Sequence, residues 1–195
     1  MEENKIIVSD CKLVIIGGSA GSLNALMQIL PGLQKLNNFA IVIVLHRKST
    51  DDQTLEELLT LKSSVAVKAI EDKTALKSGF VYVAPSNYHL LFENDDTFAL
   101  DTSEKINYSR PSIDVSFESA AEVYGNSLIG ILFSGSNTDG TEGLKAIHAA
   151  GGTIVVQNPL SADMPFMPNN AILFTKPDYI LNNKEILEFL NSINT

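Results

Sequence analysis

In KLVIIGGSAGSLNALMQIL, residues 12–30, four apolar residues from Leu13 to Ile16 run into Gly17-Gly18-Ser19-Ala20-Gly21. An amphipathic helix pattern comes immediately after. A strand that turns sharply through glycines into a helix has two common uses. It can cradle a phosphate at the helix N-terminus, or it can raise a serine as a nucleophile. The phosphate reading fits poorly here. Neither frame of the glycines gives G-x-G-x-x-G, and the Walker pattern does not occur. Near the end of the second apolar run, where a ribose-binding acid would stand, the chain has His46. Residues 17–21 do satisfy G-x-S-x-G between a strand and a helix, and that helix would offer unpaired amides to an oxyanion. The plainer alternative is that Ser19 or Ser22 only caps the helix.

Working outward, further buried-strand runs occur at Ala40–Leu45, Val65–Ala69, Phe80–Val83, Leu128–Phe133, Thr153–Val156 and Tyr179–Leu181. Several are apolar on both faces, as strands covered by helices on each side are. Helical patterns alternate with them at Ser22–Leu30, Thr54–Leu61, Ser112–Tyr124, Gly140–Ala150 and Lys184–Asn191. The alternation predicts an α/β fold, a doubly wound, mostly parallel sheet with helices on both faces. The segment VYVAPSNYHLLFENDDTFALD, turning at Asn94-Asp95-Asp96, reads as a small antiparallel β-hairpin. No repeat, low-complexity tract or linker divides the chain, so residues 1–195 read as one domain.

The composition is that of an ordinary globular protein, with 45% hydrophobic and 19% charged residues over 195 positions. The longest apolar run, Phe39 to Leu45, is far too short to span a membrane. The N-terminus lacks a signal-peptide pattern, and the single cysteine, Cys11, cannot form an internal disulfide. A cytoplasmic location is therefore expected. Cys11 opens an apolar strand and reads as a buried core thiol. The net charge of −9, with Arg47 and Arg110 the two arginines, argues against nucleic acid as a partner.

Sites in such sheets form at the carboxyl ends of strands, so the residues just past each strand matter most. The first strand ends in the serine motif, the second in His46-Arg47-Lys48-Ser49, and the strand at 128–133 in Ser134-Gly-Ser-Asn-Thr-Asp139-Gly140. A serine needs a base, and the chain has three histidines. His148 sits near a helix C-terminus, where a favourable dipole interaction explains it. His46 lies on the same sheet edge as Ser19 if their strands are parallel, with His89 in the hairpin as the fallback. Asp139 has the spacing of a capping box with Glu142, yet an aspartate held there could also orient a histidine tautomer. Asp114 and Asp163 are weaker candidates. The order Ser19, His46, Asp139 is not that of the α/β-hydrolases, whose acid precedes the histidine.

In several blocks the chain resembles the catalytic domain of the chemotaxis protein-glutamate methylesterases, the CheB family. They include VIIGGSAGS, IVIVLHRKS, SRPSIDVSFESAAEVYG, IGILFSGSNTDGTEGLKAI and AGGTIVVQNPLSADMPFMPNNAI. The resemblance implies a catalytic triad of Ser19, His46 and Asp139, with Ala20, Gly21, Ser136 and Met167 around the oxyanion and substrate. It implies hydrolysis of glutamate methyl esters on the cytoplasmic helices of chemoreceptors, with deamidation of glutamines as a further activity, and no metal or organic cofactor. Many family members carry a receiver domain before the catalytic domain. The first strand starts too early here to leave room for one, so a receiver acting in trans is the expected alternative. Ser22 and Ser136 replace the family's common glycine and methionine, and Phe166 stands where glycine is usual. Two other readings share these residues: a carboxylesterase or deamidase of another substrate, and a non-catalytic regulatory module.

Overall fold

The computed structural model describes residues 10–47 and 54–193. Seven parallel strands form its central sheet: β1 (Leu13–Gly18), β2 (Ala40–Leu45), β3 (Val67–Ala69), β4 (Val81–Val83), β7 (Leu128–Leu132), β8 (Thr153–Gln157) and β9 (Tyr179–Leu181). Their spatial order is β3-β4-β2-β1-β7-β8-β9. Two further strands, β5 (His89–Phe92) and β6 (Phe98–Asp101), pair antiparallel as a separate hairpin. Every residue of β1 and β2 is buried, because both strands lie mid-sheet with a helical layer on each side.

One layer holds α1 (Ser22–Ile29), α2 (Thr54–Lys62) and α6 (Asn183–Ser192), packed on the faces of Val14, Ile16, Ile41 and Ile43. The other holds α3 (Ile113–Tyr124), α4 (Thr141–Ala149) and α5 (Phe166–Phe174), packed on Leu13, Ile15, Val42 and Val44. The hairpin rests on α3 through an edge-to-face contact of Phe92 with Tyr124. Alternate residues of each strand thus feed two cores, and the sequence period of two becomes two hydrophobic layers.

The chain crosses from one side of β1 to the other between β2 and β7, both of which are hydrogen-bonded to β1. That is the topological switch point, where the loops leaving adjacent strands part and open a crevice. The ladders continue past the strand ends: His46 N–H donates to Gly18 O at 3.0 Å, and Ser19 N–H to Ser134 O at 2.9 Å. The loops after β1, β2 and β7 are therefore held side by side by main-chain bonds.

Val81–Val83 lies in the main sheet, as its place among the buried-strand runs predicts, and the hairpin begins at His89, around the turn at residues 94–96. One sequence expectation needs correction. Helix α5 is missing from the helical patterns, although its two prolines do not break it. Pro165 is in fact the N-cap and Pro168 falls in the first turn, where a missing N–H leaves no bond unmade. Elsewhere, elements differ from their expected limits by a residue or two. Lys48 and Ser49 lie outside the described residues.

Phe117 of α3 is fully buried, and its ring lies 2.9 Å from where a Cβ on Gly17 would stand. Phe117→Ala should lower the unfolding free energy by about 3–5 kcal/mol. Urea denaturation with an unchanged slope would measure this, and a loss under about 1 kcal/mol would contradict the packing described.

Candidate active site

Ser19 stands just past β1 at a turn closed by Gly21, whose φ of 85° lies in the left-handed region that glycine enters freely. Neither serine caps α1 through its side chain, whose N-cap is Gly21. Ser22 instead donates its hydroxyl to Ser134 O at 2.7 Å. The Ser19 hydroxyl makes no hydrogen bond to another described residue. It is half-buried, with its Cβ 3.1 Å from where a Cβ on Gly135 would lie. Gly135 must be bare, because that same Cβ would meet the Met167 sulfur at 2.6 Å. Met167 is fully buried, so it supports this loop from beneath and does not line an open cleft. Phe166, the first residue of α5, is by contrast 54% exposed.

Ser134 knots the loops together. Its hydroxyl donates to Ala20 O at 2.7 Å and accepts from Met164 N–H at 2.8 Å, while its own N–H donates to Gln157 Oε1 at 2.8 Å. Ala20 and Ser136 are exposed, and their N–H groups have no partner among the described residues. Unspent amides of this kind, one directly after the serine, can stabilise a developing oxyanion.

His46 continues β2, one step beyond the Gly18–Leu45 pair of the β1–β2 ladder, so its backbone neighbours that of Ser19. Its Nε2 lies 2.7 Å from Asp139 Oδ2. Its Nδ1 faces the Asn137 side-chain amide at 3.4 Å. Because Asn137 Oδ1 accepts Asp139 N–H at 3.1 Å, the Asn137 NH2 is the group turned to His46. The imidazole therefore carries its proton on Nε2 and presents Nδ1 as the basic nitrogen.

Asp139 is fully buried and does not cap the helix it precedes, contrary to the capping-box spacing. It reaches the start of α3 instead, accepting from Ile113 N–H at 2.7 Å, Asp114 N–H at 3.1 Å and the Ser112 hydroxyl at 3.0 Å. Asp114, in the first turn of α3, reaches back to α4, accepting from Gly140 N–H and Gly143 N–H at 2.8 Å each. Each carboxylate thus caps the other's helix. Burial alone would raise the pKa of Asp139, but the His46 hydrogen bond and the amides of Ile113 and Asp114 outweigh it and hold the value near 2. Burial pushes Asp114 up to about 7 against the pull of the Gly143 amide, and the charge on Asp139 adds to the rise. Asp139 is the member of the pair that stays ionised.

The remaining candidates fall outside this group. His89 is buried with both ring nitrogens engaged: Nδ1 accepts Ser112 N–H at 3.1 Å, so Nε2 donates to Glu104 O at 2.9 Å. It bolts the 102–112 loop to the hairpin. His148 is exposed at the end of α4. Asp163 is exposed and hydrogen-bonded to Asn24. Cys11 is buried, and burial raises its thiol to about 12, leaving it inert. Among the described residues no group of three or more His, Cys, Asp and Glu side chains is arranged to hold a metal. Nor is any helix among them long and apolar enough to cross a membrane. Ser134, Asn137 and Gln157 are the site residues that sequence reasoning misses. The dense polar run after β7 is the signal that could have pointed to the first two.

A model of the CheB methylesterase family matches residues 14–190. The chain belongs to the CheB methylesterase family. A relative in Leptospira interrogans, provisionally named protein-glutamate methylesterase/protein-glutamine glutaminase, is 47% identical over 175 residues, covering 90% of this chain and 91% of the relative. The protein-glutamate methylesterase/protein-glutamine glutaminase of Thermotoga maritima is 35% identical over 92% of this chain, which spans 53% of that relative's length. The crystal structure of the Thermotoga maritima CheB methylesterase catalytic domain superposes with a TM-score of 0.90 at 34% identity, covering 94% of this chain and 98% of that one. The doubly wound architecture is thus a property of the family.

The raised pKa of Asp114 gives a pH signature. A carboxyl that titrates near 7 when folded and near 3.8 otherwise binds its proton more tightly in the folded state. Its contribution to stability is then full below the unfolded value and is lost as pH rises toward 7. Asparagine keeps an oxygen for Gly140 and Gly143 but carries no charge. Asp114→Asn should therefore gain stability relative to wild type by about one to a few kcal/mol as pH rises from about 4 to 8. Urea titrations across that range measure the gap, and a flat one would contradict the shift.

Proposed function

We propose that this protein is a serine esterase that removes methyl groups from glutamate γ-esters on chemoreceptors, with Ser19 as nucleophile, His46 as base and Asp139 as the orienting acid. What supports this reading most is the 2.7 Å contact of His46 Nε2 with a buried carboxylate, on the sheet edge where the Ser19 hydroxyl bonds to no other described residue. Asp139 accepts a hydrogen bond from Nε2–H, which keeps that proton in place and leaves the Nδ1 lone pair free to receive the one on Ser19. The hydroxyl must turn onto Nδ1 and displace the weak Asn137 contact.

Ser19 Oγ then bonds to the ester carbonyl carbon as its proton passes to His46, and the carbonyl π pair moves onto oxygen. The N–H groups of Ala20 and Ser136 stabilise that oxyanion. Its collapse breaks the bond to methoxide, which takes the proton from His46 and leaves as methanol. Water, deprotonated by the same nitrogen, attacks the acyl-enzyme and frees the glutamate and Ser19. An amide in place of the ester would give glutamine deamidation, the second activity in the relatives' names.

Ser19→Ala should reduce methanol release from methylated chemoreceptor membranes by more than about 10⁴-fold. Its stability should change by less than about 0.5 kcal/mol, since the hydroxyl bonds to no other described residue. His46→Ala should lose about 10²–10⁴-fold in rate. Wild-type turnover in Ser19→Ala would remove this mechanism. Hydrolysis of small esters without release from receptors would point to another ester as substrate.

A further inference from the structure

A cavity of 90 Å³ adjoins His46 and is lined by Arg47, Lys105, Tyr108 and Arg110, among others. Among the described residues no carboxylate lines it, although the chain as a whole carries a net charge of −9. Both arginines of the sequence meet here. Arg47 is paired with Glu56 at 2.7 Å, so its charge is largely answered. Arg110 is not so paired: its Nη1 donates to the carbonyls of Thr102 and Ser103 at 2.7 Å each, and its buried Nε has no acceptor. Lys105 is exposed and forms no ion pair with another described residue. Two cations beside the histidine thus lack a counter-charge among the described residues.

The main chain that carries them is tied at several points. His89 fixes the main chain at Glu104, next to Lys105, and at Ser112, next to Pro111. The Arg110 fork ties the far side of the same loop to residues 102 and 103. A cationic hollow held in advance by its own backbone loses little freedom when an anion enters. Its volume suits one carboxylate group and not a whole small-molecule ligand.

We propose that this cavity is an anionic subsite, which takes a carboxylate on the substrate peptide within about one helical turn of the scissile ester. This rests on the reading that the substrate is a peptide ester processed at Ser19 and His46. A peptide bearing that carboxylate would otherwise be repelled by so acidic a protein, and the local reversal of sign draws it in at the proposed catalytic edge. Lys105 and the Arg110 guanidinium supply charge-assisted hydrogen bonds, while Arg47 holds Glu56 away from the anion.

Two labelled peptides test this by fluorescence anisotropy. Both carry methionine, a neutral and unhydrolysable isostere, at the ester position, and they differ by glutamate or glutamine four residues away. The glutamate peptide should bind wild type about tenfold more tightly at low salt. Lys105→Gln should reduce that preference at least threefold, and about 0.5 M NaCl should erase it. Equal affinities, no detectable binding, or a preference untouched in both Lys105→Gln and Arg110→Lys would overturn the subsite. Methanol release from the corresponding methyl-ester peptides is the separate arm. A retained binding preference without release would sink the esterase reading alone, and release with equal affinities would sink the subsite alone.

Discussion

Two aspartates capping each other's helices is the constraint on which the site depends. Asp139 closes the amides at the start of α3, and Asp114 closes those at the start of α4. Two carboxylates this close and this dry would ordinarily be untenable together. Four main-chain N–H groups and the positive ends of two helices make the arrangement possible, and the proton that Asp114 keeps below about pH 7 removes the remaining repulsion. The exchange locks α3 to α4, and so fixes the distance from the β7 loop to the layer above it. With that distance set, Asp139 meets His46 at 2.7 Å.

The arrangement also decides which nitrogen of His46 would act as base in the proposed reaction. Asp139 approaches from the α3 side and takes Nε2, so the nitrogen left toward the switch-point crevice is Nδ1. The tautomer is set by the helix caps and needs no separate device. His89 offers the contrast, since both its nitrogens are spent on main-chain groups and it serves as a rivet for the loop that carries Lys105 and Arg110.

Much of the fold was legible in the sequence because continuous apolar runs such as Phe39–Leu45 admit few readings other than a strand buried on both faces. The three candidate residues could be named for a related reason: each lies in the loop just past a strand, and parallel strands present their ends on one edge. What could not be read was long-range. The Asp139-to-Glu142 spacing suggested a local cap, but the distant amides of residues 113 and 114 captured the carboxylate. Helix α5 starts among prolines whose harm depends on position within a turn, and turn position cannot be counted until the start is known. The roles of Ser134 and Gln157 are contacts across more than twenty residues, invisible to any local pattern.

The main-chain ladders that run past β1, β2 and β7 have one more consequence. They hold the backbone beneath Ser19, His46 and Ser134 through peptide groups, whereas the exposed rim around them consists of side chains such as Phe166, Tyr108 and Lys105. Machinery and selectivity therefore reside in separate parts of the molecule. Descent with altered rims can retarget the chemistry to new acyl donors without recalibrating it.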